Sequence, residues 1–219
     1  MVHLQELYID NNGLESSLPW CLANMTCLQV LDVSSNQLHG SISSSPLLYL
    51  TSIEELILSN NRFRVPLSLE PFFNHSRLKI FFAENNQIIG EITKSHSLTP
   101  NFQLIIFSLS SYGYGGPFPK FLYHQHDLEF VRLSHLNLNG EFPNWLLENN
   151  TKLESLFLLN NSLAGLFLLP IHCHKSLMLL DISNDNLQGH IPVKIGDFLP
   201  NLKYFNISMN VFDGSIPAS

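Results

Sequence analysis

A leucine-type residue recurs at positions 4, 28, 53, 78, 104, 128, 153, 177 and 202, nine times at steps of 24 to 26 residues. With that period each unit is one small supersecondary element, able to bury its apolar side only against its neighbours in the chain. The register is testable by counting. In every unit the first residue and those 3, 5, 10 and 14 places beyond it are apolar, 45 positions out of 45 with Tyr114 included, where a 45% hydrophobic content would place about 20.

Places 3 and 5 share one face of a short extended segment, because side chains alternate along a strand. Each repeat is therefore expected to supply one short parallel strand whose inward residues are covered by the repeats on either side. Asparagine holds place 8 in Asn12, Asn36, Asn61, Asn86, Asn161 and Asn210, where the chain leaves the strand. An amide carries donors and an acceptor, and can satisfy backbone groups orphaned by that turn. Glycine at place 12, as in Gly40, Gly140 and Gly214, allows a tight path, and proline at place 15, as in Pro19, Pro119, Pro143, Pro192 and Pro217, fixes the exit. The asparagine series breaks at Tyr112 and Leu136 and becomes Asp185 in the eighth repeat, where an ionised carboxylate accepts but cannot donate. These sites and the neighbouring stretch SSYGYGGPFP read either as drift tolerated by a long array, the expectation here, or as an irregularity that bends the solenoid or presents a loop.

The unit L-x-x-L-x-L-x-x-N-x-L-x-G-x-I-P, clearest in LMLLDISNDNLQGHIP and LKYFNISMNVFDGSIP, resembles the plant-specific subclass of leucine-rich repeats. The fold expected is an α/β leucine-rich repeat solenoid, a right-handed superhelix with parallel strands on its concave face and 3-10 or irregular segments on its convex side, residues 1–219 forming one domain of nine repeats. Longer stretches, among them LPWCLANMTCLQVLDVSSNQLHGSIS, are similar to the ectodomains of plant leucine-rich-repeat receptor-like proteins. That resemblance implies an extracellular domain on the plasma membrane that binds a peptide, glycan or protein ligand and signals through an adaptor receptor kinase and a coreceptor kinase, in defence or development. It also implies a signal peptide, paired-cysteine caps and one membrane span. The residues after Met1 contain no such leader, the apolar stretches near Leu104 to Leu109 and Leu163 to Ile171 are far short of a span, and no caps are visible. The chain therefore reads as a fragment of something longer. Two other roles on the same repeat are a secreted inhibitor of pathogen cell-wall-degrading enzymes and the ectodomain of a receptor kinase.

Strands about 4.8 Å apart would give a strip roughly 40 Å long. Its outward residues include Tyr8, Ile80, Phe82, Ile106, Phe130, Arg132, Phe157 and Tyr204, an exposed set of aromatics with one arginine, the composition of recognition surfaces. Lateral packing on a crowded sheet explains the same residues without a ligand. Five N-x-S/T sequons, at Asn24, Asn74, Asn149, Asn160 and Asn206, are candidate glycan acceptors if the chain is secreted.

Composition closes several other routes. A net charge of −7 with 11 scattered Lys and Arg argues against nucleic acid and anionic membranes as partners. Charged residues make up only 13% of the chain, because neutral Asn, Ser and Gly fill its turns. Three cysteines cannot form a disulfide scaffold; a Cys21–Cys27 pair stays open, and Cys173 would be left over. His124 with His126, and His172 and His174 around Cys173, are expected to be exposed polar residues of the convex side, with no metal site and no cofactor. No nucleophile, base and orienter stand together, so no catalysis is expected. Protonating all ten histidines would move the net charge from −7 to +3 and make partner binding sensitive to pH.

Overall fold

The computed structural model describes residues 3–90, 99–111, 113 and 115–217, which fall into two compact units, Met1–Tyr112 and Gly113–Ser219. Tyr112 and Tyr114, singled out above, lie outside the described residues. In the first unit the strands Glu6–Tyr8, Val30–Asp32, Glu55–Ile57, Ile80–Phe82 and Ile106–Ser110 pair in parallel. Their place 3 residues Leu7, Leu31, Leu56, Phe81 and Phe107 are in register. In the second unit Phe130–Ser134, Ser155–Phe157, Leu179–Asp181 and Tyr204–Asn206 do the same, aligning Val131, Leu156, Leu180 and Phe205.

Leu31, Phe81, Phe107, Val131, Leu156 and Leu180 are fully buried. Repeats with a neighbour on one side only behave differently: Leu7 and Phe205 are half-buried, and Ile216 is 89% exposed. Phenylalanines fill the first unit where leucine would leave space, with Phe72 against Phe81 at 6.1 Å and Phe81 against Phe107 at 6.2 Å between ring centroids.

One strand per repeat was too few. A second set of short parallel strands runs through Glu15–Ser16, Gln37–Ser41, Arg62–Pro66 and Gln87–Ile89 in the first unit. Gly116–Pro117, Leu138–Glu141, Ser162–Leu166, Asn186–His190 and Val211–Asp213 form its counterpart in the second. These strands fall within places 9 to 13, around the apolar residue of place 10 and, in most repeats, the glycine of place 12. Among the described residues the remaining side of most repeats carries 3-10 turns such as Trp20–Asn24, Pro46–Tyr49, Glu70–Phe72 and Lys120–His124, or short α turns at Asn144–Asn149 and Ile195–Phe198.

Gly140 sits at φ +108°, and a Cβ added there would meet nothing within 4 Å. Its conformation is thus demanded by the path of the chain and not by a crowded neighbour. Gly140→Ala is expected to lower the stability of the second unit by about 1–2 kcal/mol through backbone strain alone. Urea unfolding measures it, and an unchanged midpoint would show that the backbone there relaxes at no cost.

Candidate functional site

The open face of each strand sheet is built from places 2 and 4, which register turns into columns. In the first unit place 2 stacks Glu6, Val30, Glu55, Ile80 and Ile106, and place 4 stacks Tyr8, Asp32, Ile57, Phe82 and Ser108. Ile80, Phe82 and Ile106 come together as neighbours, but they are half-buried and not fully exposed as the sequence reading had them. Side chains one strand apart cover each other's flanks, so only their tips stay wet. Tyr8, with a neighbouring strand on one side, is 57% exposed. Ser108 is fully buried and donates to the Glu84 carboxylate.

The second unit carries the more elaborate face. Phe130 and Phe157 lie 5.7 Å apart between centroids, and the Arg132 guanidinium carbon stands 4.8 Å from the Phe157 ring centre and 5.7 Å from that of Phe130. All three are half-buried. A guanidinium held on two rings presents a rigid plane with little rotamer entropy left to lose on contact with a partner. Further along this face, Tyr204 and Asn206 each donate at 3.0 Å to Asp181 Oδ2, while Asp181 Oδ1 accepts from the Ser183 backbone N–H at 3.0 Å and its hydroxyl at 2.6 Å. Tyr204 keeps 44% of its surface exposed, so this network is a fixed polar patch with an aromatic ring at its edge.

The place 8 asparagines hold successive repeats together. Asn61 Nδ2 donates to the Val33 carbonyl of the preceding repeat at 2.9 Å and to its own Leu58 and Ser59 carbonyls, while its Oδ1 accepts from the Leu38 N–H at 2.9 Å. Asn36, Asn86, Asn161 and Asn210 repeat the pattern across the preceding turn. Among the described residues Asn12, in the first repeat, donates only to the Ile9 and Asp10 carbonyls of its own turn. Where the series breaks at Leu136, the side chain is buried as apolar core and the link passes to the backbone: Gly115 N–H donates to the Leu136 carbonyl at 2.9 Å.

Asp185 corrects the expectation of an ionised carboxylate. Oδ1 accepts from the Leu163 N–H at 2.8 Å, but Oδ2 is buried with no partner. Burial pushes its pKa from 3.8 up to about 7; the Leu163 and Asn161 backbone N–H groups hold it lower than burial alone would, and the charge of Asp181 adds to the rise. Below about pH 7 the group is protonated, and its uncharged form is closer to the amide of the other repeats than a carboxylate would be.

Two polar columns escaped the sequence reading. In eight of the nine repeats the place 7 residue adopts left-handed backbone, among them Asn60 at φ 57°, His135 at 60° and Asn160 at 59°. Their side chains link repeat to repeat: Asn85 donates to Asn60 at 2.7 Å, Asn160 bonds His135, and Asn184 bonds Asn160. The doubled asparagines in NN at 60–61, 85–86 and 160–161 were the available signal, since asparagine tolerates that conformation. On the opposite side, three residues before a repeat leucine, His75, Asn150 and His174 are buried. His75 bonds the Phe72 and Leu47 carbonyls at 3.1 and 3.2 Å, and burial lowers its pKa. His174 bonds the Asn150 carbonyl at 3.0 Å through Nε2 and accepts from the Leu177 N–H at Nδ1, so it is a structural bracket and not an exposed residue. Surface charge reversal by all ten histidines therefore does not hold as stated.

Asn24, Asn74 and Asn149 occupy matching places on the helical side, Asn24 and Asn74 exposed and Asn149 half-buried. The Asn160 amide nitrogen belongs to the place 7 column and that of Asn206 to the Asp181 network. Cys21, Cys27 and Cys173 are exposed free thiols. Among the described residues no group of three or more His, Cys, Asp or Glu is arranged to hold a metal, and no helix is long and apolar enough to cross a membrane.

A family model described as Leucine Rich Repeat matches residues 3–25 and 27–47. Along its whole length the chain is 40% identical to Receptor-like protein 1 of Arabidopsis thaliana, and over 94% of its length 38% identical to Cuscuta receptor 1 of Solanum lycopersicum. It spans about a fifth of these curated relatives, 20% and 18%. Among solved structures it is similar to the Arabidopsis receptor kinase HAESA, crystallised with the peptide hormone IDA and the co-receptor SERK1, at a TM-score of 0.82 and 26% identity over 99% of this chain and 35% of that one.

Proposed function

We propose, since the chain belongs to the leucine-rich-repeat receptor-like proteins of plants, that its open strand faces recognise a ligand outside the cell. The observation that supports this is the Phe130, Arg132 and Phe157 group, an aromatic pair with a stacked guanidinium on the strand face built from places 2 and 4. The likeness to a receptor crystallised with a peptide hormone and a co-receptor favours a peptide or protein ligand over a glycan on this face. On the same reading the whole protein lies at the plasma membrane with these repeats outside, and passes its signal to adaptor and coreceptor receptor kinases. Its role is recognition, with no chemical step of its own.

The faces of the two units can be tested separately. Peptides selected from a random display library on the secreted chain are expected to bind Phe82→Ala or Phe157→Ala at least about tenfold more weakly, according to the face they use. Thermal unfolding should change little, because both rings are half-exposed. Selected peptides that bind both variants and their combination undiminished would remove the strand faces as the recognition surface.

A further inference from the structure

The first unit carries a cleft of about 160 Å³ on its second-strand side, away from the columns described above. Trp20 forms one wall, His39 and the hydroxyl-bearing Ser17, Ser41 and Ser44 line it, and buried Phe63 lies beneath. The Trp20 indole is 62% exposed, and Tyr49 from the next repeat holds it with ring centroids 6.1 Å apart at 64°. Neither Asp, Glu, Lys nor Arg lines the cleft. Ser45 spends its hydroxyl on the Ile42 carbonyl and the Leu47 N–H. Those of Ser17, Ser41 and Ser44 bond no other described residue, which leaves three donor and acceptor groups turned to solvent beside an aromatic wall.

Without a charged group, the cleft has nothing to hold an ion, and its volume is too small for an extended peptide. An aromatic plane beside several uncommitted hydroxyls matches one kind of ligand: a ring with an apolar C–H face and a rim of hydroxyls. We propose that this cleft binds a neutral sugar ring, its C–H face against Trp20 and its hydroxyls bonded to Ser17, Ser41, Ser44 and His39. The ring has two possible sources. Asn24 ends the same 3-10 turn that Trp20 begins and is itself a sequon, so the sugar can belong to a glycan on the chain or to a free oligosaccharide. The first source rests on the chain being secreted, as proposed above; the second does not.

Trp145→Phe leaves Trp20 as the only indole, so that fluorescence reports on the cleft. The chain produced in plant secretory cells is compared with its Asn24→Gln variant, each titrated with tetrasaccharides of β-1,4-linked glucose or N-acetylglucosamine. A free ligand gives a saturable emission change in Asn24→Gln with affinity on the order of millimolar, weakened at least about tenfold by Ser41→Ala with Ser44→Ala. A glycan of the chain's own gives a Trp20 emission that differs between the two proteins and resists added sugar. If Trp20 emission is the same in both proteins and unmoved by either sugar, the proposal is overturned, whatever becomes of peptide binding on the strand faces.

Discussion

Asn61→Ala should lower the stability of the first unit by about 3–5 kcal/mol, although it removes only a small polar side chain. The amide accepts from the buried Leu38 N–H and donates to the Val33, Leu58 and Ser59 carbonyls, so its removal leaves several polar groups without partners where water does not reach. Each buried group left unsatisfied costs about 1–3 kcal/mol, and some relaxation keeps the total below a simple sum. Two of these bonds cross to the preceding repeat. In an array stabilised by nearest neighbours, the loss should therefore appear as faster amide exchange around Val33 and Leu38 as well as around Asn61. Exchange accelerated at Asn61 alone would mean that the side chain serves its own turn and does not join repeats.

Asp185→Asn should do the opposite, and only above acidic pH. The folded-state pKa of about 7 lies above the unfolded value of 3.8, so the folded chain holds the proton more tightly. Stability from this group is then fully present below about pH 4, falls as pH rises toward 7, and levels off above it, a loss on the order of 3–4 kcal/mol. In the variant an amide nitrogen takes the place of the partnerless Oδ2, where the corresponding nitrogens of Asn161 and Asn210 donate to carbonyls across and within the turn. Urea unfolding at pH 4 should find the two proteins alike, and at pH 8 the variant should be more stable by about 3 kcal/mol. Parallel pH profiles for the two proteins would show that Asp185 ionises freely in the fold.

The repeat register, the parallel strands and the residues forming the strand-face columns were all legible in the chain. Alternation along a strand and recurrence at 24 to 26 residues are properties of the backbone and of spacing, and spacing is written in the sequence. His174 and Asp185 mark where that legibility ends. Both read as polar residues of ordinary character, because what decides them is the approach of a residue about 24 places away: the Asn150 carbonyl for His174 and the Leu163 N–H for Asp185. Ile80, Phe82 and Ile106 were placed on the correct face, but their half-burial depends on how closely adjacent strands stand, which spacing along one chain does not carry.

The sequence by itself therefore determined the repeat, its core positions, the role of its asparagines and its kinship with plant receptor-like proteins. Only the tertiary structure decided that each repeat adds a second strand, that a carboxylic acid stands in for an amide at Asp185, and that Trp20 and four serines border one cleft. The physical reason is that a repeat protein encodes its local geometry within each unit. Burial, protonation and binding clefts arise between units, from side chains that meet only once the repeats are stacked.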